Sequence, residues 1–197
     1  MSAEEQAKRK NEQVKDGFVQ ATKEIILREG VAAVSVRKIA QATGYSYATI
    51  YHYFADINAL LLAVKERMVE DITVHLSSTN TEPFRTVADL KRGNRDYAQY
   101  YLDRPNVYHF FYTYQFENEP APEYDLHFQE RWLFAYHLFV EQGLLRQEDV
   151  ITAAKTVIYA LQGLLALYFS SNGLTRESFF QDLDDMEDYL FQNRRNV

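Results

Sequence analysis

Apolar positions along the chain recur at three- and four-residue steps, and no stretch of useful length alternates apolar with polar residues. The pattern therefore predicts an all-α fold of about nine helices. Val14, Phe18, Ala21 and Ile25 mark one face of a first helix, and Gly30, following Arg28 and Glu29, suits the left-handed position that ends it. Ser35 can cap a short second helix from Val36 to about Thr43, with Val36, Ile39 and Ala40 inward. Gly44 breaks that helix, Ser46 can cap a third running to about Tyr53, and Asp56 a fourth in which Ala59, Leu60, Ala63 and Val64 lead towards Leu76. The polar stretch 77–83, with its Pro83, reads as a loop and as the boundary between an N-terminal domain, 10–76, and a larger C-terminal one, 77–197. Further helices are expected at about 84–102, 105–116, 123–142, 148–171 and 175–192, with Pro105 at the first position of its helix and a second Pro-bearing loop at 117–122.

Composition narrows the class. Hydrophobic residues make up 47% and charged residues 25% of 197, an ordinary globular balance, and seven Gly and four Pro are few for an all-β chain. With no Cys there is neither a disulfide framework nor a thiolate metal site. The polar start MSAEEQAKRKNEQVK has no signal-like apolar core. The most apolar run, 157–169, is interrupted by Gln162 and falls short of the ~20 residues a bilayer requires. A buried helix and a cytoplasmic protein, not a membrane one, are expected. The net charge of −7 argues at first against a nucleic-acid binder, but its distribution weakens the objection. Residues 1–60 hold eight Lys or Arg and seven acids, while the remainder holds 13 and 21, so an acidic body carries a near-neutral head. Such a head would rely on placed contacts more than on a long-range field.

The segment 35–54, SVRKIAQATGYSYATIYHYF, meets the requirements of a helix-turn-helix. A helix that reads the major groove, about 12 Å wide, must be short, held at a fixed angle and exposed on one face. Ile39 and Ala40 can pack against Ile50, Tyr53 and Phe54 across a tight turn at Gly44, which leaves Tyr47, Ala48, Tyr51 and His52 outward and Thr49 at the border. That face is hydrogen-bonding and largely uncharged, suited to base edges, thymine methyls and phosphate oxygens. Ser35 and the free N–H groups after it can hold a phosphate, with Arg37 and Lys38 beside them. The candidate DNA contacts are thus Ser35, Arg37, Lys38, Ser46, Tyr47, Ala48, Thr49, Tyr51 and His52. In their order and spacing, Ala21 through Gly30, Ser35 to Ala40, Gly44-Tyr45-Ser46, Thr49 to Phe54 and Ala59-Leu60-Leu61 resemble the N-terminal domain of TetR-family repressors over roughly residues 10–70. The resemblance implies a homodimeric regulator of double-stranded operator DNA. Relatives often carry a basic residue where Tyr47 stands and a Lys where Ile57 stands. The departures predict weaker electrostatic binding, a flatter salt dependence, or compensation by Lys8, Arg9 and Lys10.

For residues from about 77 onward the resemblance implies only a helical ligand-binding and dimerisation domain. Between Tyr97 and Phe139 stand 15 of the chain's 29 aromatics, and such clusters line cavities for apolar or planar ligands. Tyr97, Tyr101, Tyr108, Phe111, Tyr112, Trp132, Tyr136 and Gln162 are the candidates; a tyrosine-rich filled core is the other reading. Small residues at Ala153, Ala160 and Gly163, with Leu167, and the face of Phe179, Leu183 and Met186 look like the family's four-helix dimer interface, where Gln162-Gly163 resembles a short motif often seen in relatives. A core contact within one protomer is the alternative. His109, His127 and His137 lack metal-site spacing, the acids of 182–188 read as a solvated helix face, and no phosphate loop, nucleophile elbow or carboxylate pair stands out, so neither metal, cofactor nor catalysis is expected. The functional expectation is a ligand-responsive repressor released from its operator by an apolar or aromatic effector. Alternatives are a regulator switched by a protein partner or acting without ligand, and a helical small-molecule enzyme or carrier.

Overall fold

The computed structural model describes residues 2–79, 84–117, 126–170 and 173–192, with the side chains of Ala3, 126–132 and Gln192 outside the description. Among these residues there are nine α-helices and no strand: α1 Ala3–Glu29, α2 Val36–Thr43, α3 Tyr47–Tyr53, α4 Ile57–Thr79, α5 Val87–Leu102, α6 Pro105–Tyr112, α7 Leu126–Glu141, α8 Val150–Phe169 and α9 Arg176–Gln192, with short 3₁₀ turns at Val31–Ala33 and Gln147–Asp149. The chain forms two compact units, one of residues 1–72 and 104–120, the other of 73–103 and 121–197. The first unit therefore takes in α6, which the boundary read at 76/77 placed with the C-terminal part, and α4 runs on past residue 72.

Local chemistry explains most helix ends. Ser2 and Glu5 form a reciprocal capping box that starts α1 eleven residues before its first patterned apolar position. Thr86 and Asp89 form another at the head of α5. There the Thr86 hydroxyl, together with Arg92 and the Arg85 and Thr86 amides, holds the Asp89 carboxyl down to about 2 against the cost of its desolvation. Gly30 does end α1, but not in the left-handed helical region expected: its φ of 82° and ψ of 164° lie where only glycine goes freely.

In the first unit Phe18, Ile25 and Ile26 of α1 are buried with Leu60, Val64 and Met68 of α4. Ion pairs flank this core, Lys23 with Asp71 at 2.9 Å and Arg67 with Asp16 at 3.2 Å. Two asparagines tie in α6: Asn106 donates to the Leu27 carbonyl at 3.0 Å, and Asn58 exchanges two hydrogen bonds with the backbone of Glu117, at 2.6 and 3.1 Å. Lys65 lies over the Phe116 ring, 4.6 Å from its centre.

The second unit packs Leu90, Tyr136, Phe139, Leu145, Val150, Val157 and Phe191 into one cluster. Gly93 on α5 lets Phe84 lie against the backbone; a Cβ there would stand 2.5 Å from the ring. The stretch Gln147–Phe169 is 23 residues long and, by length and composition, apolar enough to cross a membrane, longer than the 157–169 run suggested. One side of it, Val150, Ala153, Val157, Leu161, Leu164 and Leu165, is buried inside the unit. α9 departs from a wholly solvated acidic face, because Glu187 is buried and accepts from the Asn94 side chain.

Candidate nucleic-acid interface

α2, a short turn and α3 form the site. The Ser35 hydroxyl accepts from the Lys38 amide at 3.3 Å, and the Ser46 hydroxyl accepts from the Thr49 amide at 3.2 Å and lies 2.9 Å from the Thr49 hydroxyl. Both cap assignments made from sequence hold, as does Asp56, whose carboxylate accepts from the Ala59 amide at 2.7 Å. Between the helices Gly44 is left-handed, φ 74° and ψ 6°, and its N–H closes on the Ala40 carbonyl.

Burial fixes how α3 is rolled. Ile39 and Ile50 are both buried, and Phe54 sits at 5% exposure just beyond α3. The Phe18 ring of α1 lies 5.3 Å from Tyr45, 5.9 Å from Tyr53 and 6.5 Å from Phe54, so aromatic contacts hold the turn and the C-terminal end of α3. The opposite face is open: Tyr47 is 50% and Tyr51 52% exposed, with Ala48 and His52 also exposed and Thr49 half-buried. The structure thus brings Tyr47, Ala48, Tyr51 and His52 onto one surface.

Its electrostatics are sparse. α3 carries no Lys or Arg, and α4 has no basic residue in its first turn among the described residues. Lys38 pairs with Glu29, which also holds Arg28; the hydrogen bond from Lys38, then that from Arg28, draws the Glu29 carboxyl below its usual range. Arg37 is exposed and forms no ion pair among the described residues. Of the two cations beside the α2 cap, one is therefore already committed within the protein. Sequence reasoning missed two participants here. Asn11 of α1 accepts from the Tyr53 hydroxyl at 2.8 Å, and the Lys15 ammonium lies 5.6 Å from the centre of the Phe54 ring. A polar residue on an exposed helix face leaves no pattern, so neither contact had a signal beyond helical register.

Residues 18–64, which contain α2, the turn and α3, match the family model for bacterial regulatory proteins of the tetR family. This segment is similar to a tetR-family DNA-binding domain. No curated protein matches the chain at the sequence level. Solved structures share the fold. A TetR family transcription regulator from Marinobacter aquaeolei VT8 is 22% identical with a TM-score of 0.63, covering 92% of this chain and 97% of that one. RolR in complex with resorcinol is 18% identical with a TM-score of 0.68, covering 94% and 89%. NalD, the secondary repressor of the MexAB-OprM multidrug efflux pump in Pseudomonas aeruginosa, is 19% identical with a TM-score of 0.58, covering 92% and 96%. The fold shared with these structures is an N-terminal helix-turn-helix with a larger helical C-terminal part.

The other candidates distribute unevenly. Tyr97, Tyr101 and Tyr136 are buried in the second unit, where the Gln162 side chain donates to the Tyr97 hydroxyl at 2.9 Å and the Tyr97 and Tyr101 rings meet at 5.0 Å. Burial, and after it the neighbouring Glu187 carboxyl, pushes the Tyr136 phenol up. Tyr108, Phe111 and Tyr112 belong to the first unit, with the Tyr108 and Tyr112 rings 5.2 Å apart. The Trp132 side chain lies outside the described residues. Among the residues read as a dimer face, Ala153, Phe179 and Leu183 are buried within their own unit and so serve the protomer's core. Gly163 and Leu167 are exposed, and Ala160 and Met186 are half-buried.

Proposed function

We propose that the chain is a cytoplasmic, homodimeric repressor that holds near-palindromic operator DNA and releases it when an aromatic effector binds. The observation that carries the reading is the open face of Tyr47, Ala48, Tyr51 and His52 on a helix capped at Ser46 and clamped by Phe18. A short helix with one such face fits base edges in the major groove, and phenol and imidazole groups hydrogen-bond bases or phosphates without adding charge. Ser35, Arg37, Ser46 and Thr49 would position the head on the backbone, and Lys38 would do so only by exchanging Glu29 for a phosphate. Two heads on successive major grooves would sit about 34–36 Å apart. For the effector, buried Tyr97, Tyr101 and Tyr136 with half-buried Gln162 would supply an apolar interior with hydroxyl and amide groups, and RolR, similar in fold, is bound to resorcinol.

Binding of the full-length protein to duplexes selected from a randomised library tests the DNA half. Tyr47→Ala and Tyr51→Ala should each narrow the gap between selected and scrambled duplexes by about 1–3 kcal/mol. Unchanged discrimination in both variants would remove α3 as the reading helix. Titrating resorcinol and simple phenols into the complex tests the other half, where a coupling of about 1–3 kcal/mol is expected. If none lowers DNA affinity, the burial of four of the five candidate tyrosines favours instead a filled core and a switch operated by a protein partner.

A further inference from the structure

A duplex held at two major grooves needs cations on the flanking phosphates, because those contacts supply much of the affinity. The helix-turn-helix offers few: none on α3, Lys38 committed to Glu29, and Arg37 alone on α2 without an ion pair among the described residues. The missing charge stands on the part of α1 that precedes the family match at residue 18. This part is helical from Ala3, and its exposed Lys8, Arg9 and Lys10 make no ion pair among the described residues. It is also fixed to the reading helix. Asn11 accepts the Tyr53 hydroxyl at 2.8 Å, and Lys15 lies over Phe54 at 5.6 Å.

Helical register then places Lys8, Asn11 and Lys15, spaced i, i+3 and i+7, along one side of α1. Arg9 points about 100° away, and Lys10 falls on the other flank. Glu4 and Glu12 stand one turn either side of Lys8 without closing an ion pair to it, while Glu5 is used in the cap and Asp16 holds Arg67.

We propose that residues 8–15 of α1 form a phosphate clamp for the duplex that α3 reads. Lys8 and Lys15 are its cationic contacts, and Asn11, through Tyr53, is the pin that sets their distance from the reading helix. The inference rests on the DNA-binding reading above. It replaces basic anchors that Tyr47 and Ile57 do not provide, and it assigns the contact to one side of α1 rather than to the whole basic run Lys8-Arg9-Lys10.

The test uses the full-length chain and the tightest duplex that the wild type recovers from a randomised library, titrated by fluorescence anisotropy across a salt series. The double variant Lys8→Ala, Lys15→Ala should bind about tenfold or more weakly near physiological salt. Its log–log salt slope should flatten by about 0.9 for each phosphate that is no longer neutralised. The weakening should be equal on selected and scrambled duplexes, since phosphates carry no sequence. Arg9→Ala, removing the same single charge as Lys8→Ala from a different side, should leave affinity within about twofold. Lys8→Ala alone, at an exposed position remote from the core, keeps the test valid if removing Lys15 loosens α1, as circular dichroism would report. An unchanged slope in the folded variants, or an equal weakening from Arg9→Ala, overturns the clamp while leaving DNA binding intact. A wild type that recovers no duplex overturns the DNA-binding reading and the clamp together.

Discussion

At the scale of single residues, two glycines that both end a helix do different work. Gly44 is left-handed helical, φ 74° and ψ 6°, with open space where a Cβ would go. Other residues enter that region at a cost of about 1–2 kcal/mol. Gly30 combines φ 82° with ψ 164°, a region almost closed to side chains, and a Cβ there would stand 3.3 Å from Oδ1 of Asn106, whose Nδ2 holds α6 to the Leu27 carbonyl of α1. Gly30→Ala is therefore expected to cost more stability than Gly44→Ala, by about 1–2 kcal/mol, in urea unfolding monitored by circular dichroism. Gly44→Asn should be the mildest of the three, since asparagine tolerates the left-handed region. Equal destabilisation by the two alanine variants would show that the ψ difference and the Asn106 contact are without consequence. Both glycines were legible as punctuation in the sequence; that one lies outside the left-handed helical region was not, because composition specifies that φ is positive but leaves ψ to the packing of α6.

At the scale of elements, the seam between α5 and α9 carries a buried acid. Glu187 is 2% exposed and accepts from Asn94, while Lys91 is spent on Asp188 at 2.8 Å and Arg95 on Asp184 at 2.7 Å. Burial raises the Glu187 carboxyl from 4.5 to about 7, outweighing the Asn94 hydrogen bond and Lys91, with Asp184 and Asp188 adding to the rise. The folded chain thus keeps this proton to about pH 7 whereas the unfolded chain gives it up near 4.5. Stability from this group is complete below pH 4.5, falls as pH rises from there, and levels off above 7, a decrease on the order of 3 kcal/mol. Glu187→Gln should remove the slope: its melting temperature should exceed that of the wild type at pH 8 and approach it near pH 4.5, and parallel profiles would sink the assignment. Here the sequence misled for a physical reason. Five of the seven residues from 182 to 188 are acids, and a run of acids is usually solvated, but α9 is wrapped closely enough by α5 that one of the five turns inward. The strongly periodic elements, by contrast, were legible almost to the residue, because an apolar stripe with a capping serine or threonine specifies a helix without help from distant parts of the chain. The placement of α6 was not, because it depends on Asn58 and Asn106 catching backbone carbonyls and amides, and such asparagines look like any polar surface residue.

At the scale of the whole molecule, the low charge of α2 and α3 means that the operator binding proposed above would depend on two heads, and α8 is the surface we propose to join them. Along α8 the exposed residues Tyr159, Gly163 and Leu167 fall at four-residue steps on the side away from Val157, Leu161 and Leu165. A Cβ on Gly163 would meet nothing within 4 Å in this chain. The protomer therefore derives no benefit from a glycine that costs its helix about 1 kcal/mol relative to alanine, whereas a partner helix crossing at that point needs the space. Gly163→Ala should accordingly stabilise the isolated protomer slightly while weakening self-association, two effects of opposite sign that a purely internal role cannot produce. Leu167→Arg, placing a charge on the same stripe, should shift the chain from dimer to monomer in sedimentation velocity at micromolar concentration. It should also lower affinity for a two-half-site operator by about 100-fold or more while changing affinity for a single half-site by less than about threefold, because only the tethering of the second head is removed. A Leu167→Arg protein that stays dimeric, or one that weakens half-site and full-site binding equally, would place the joint elsewhere than on α8.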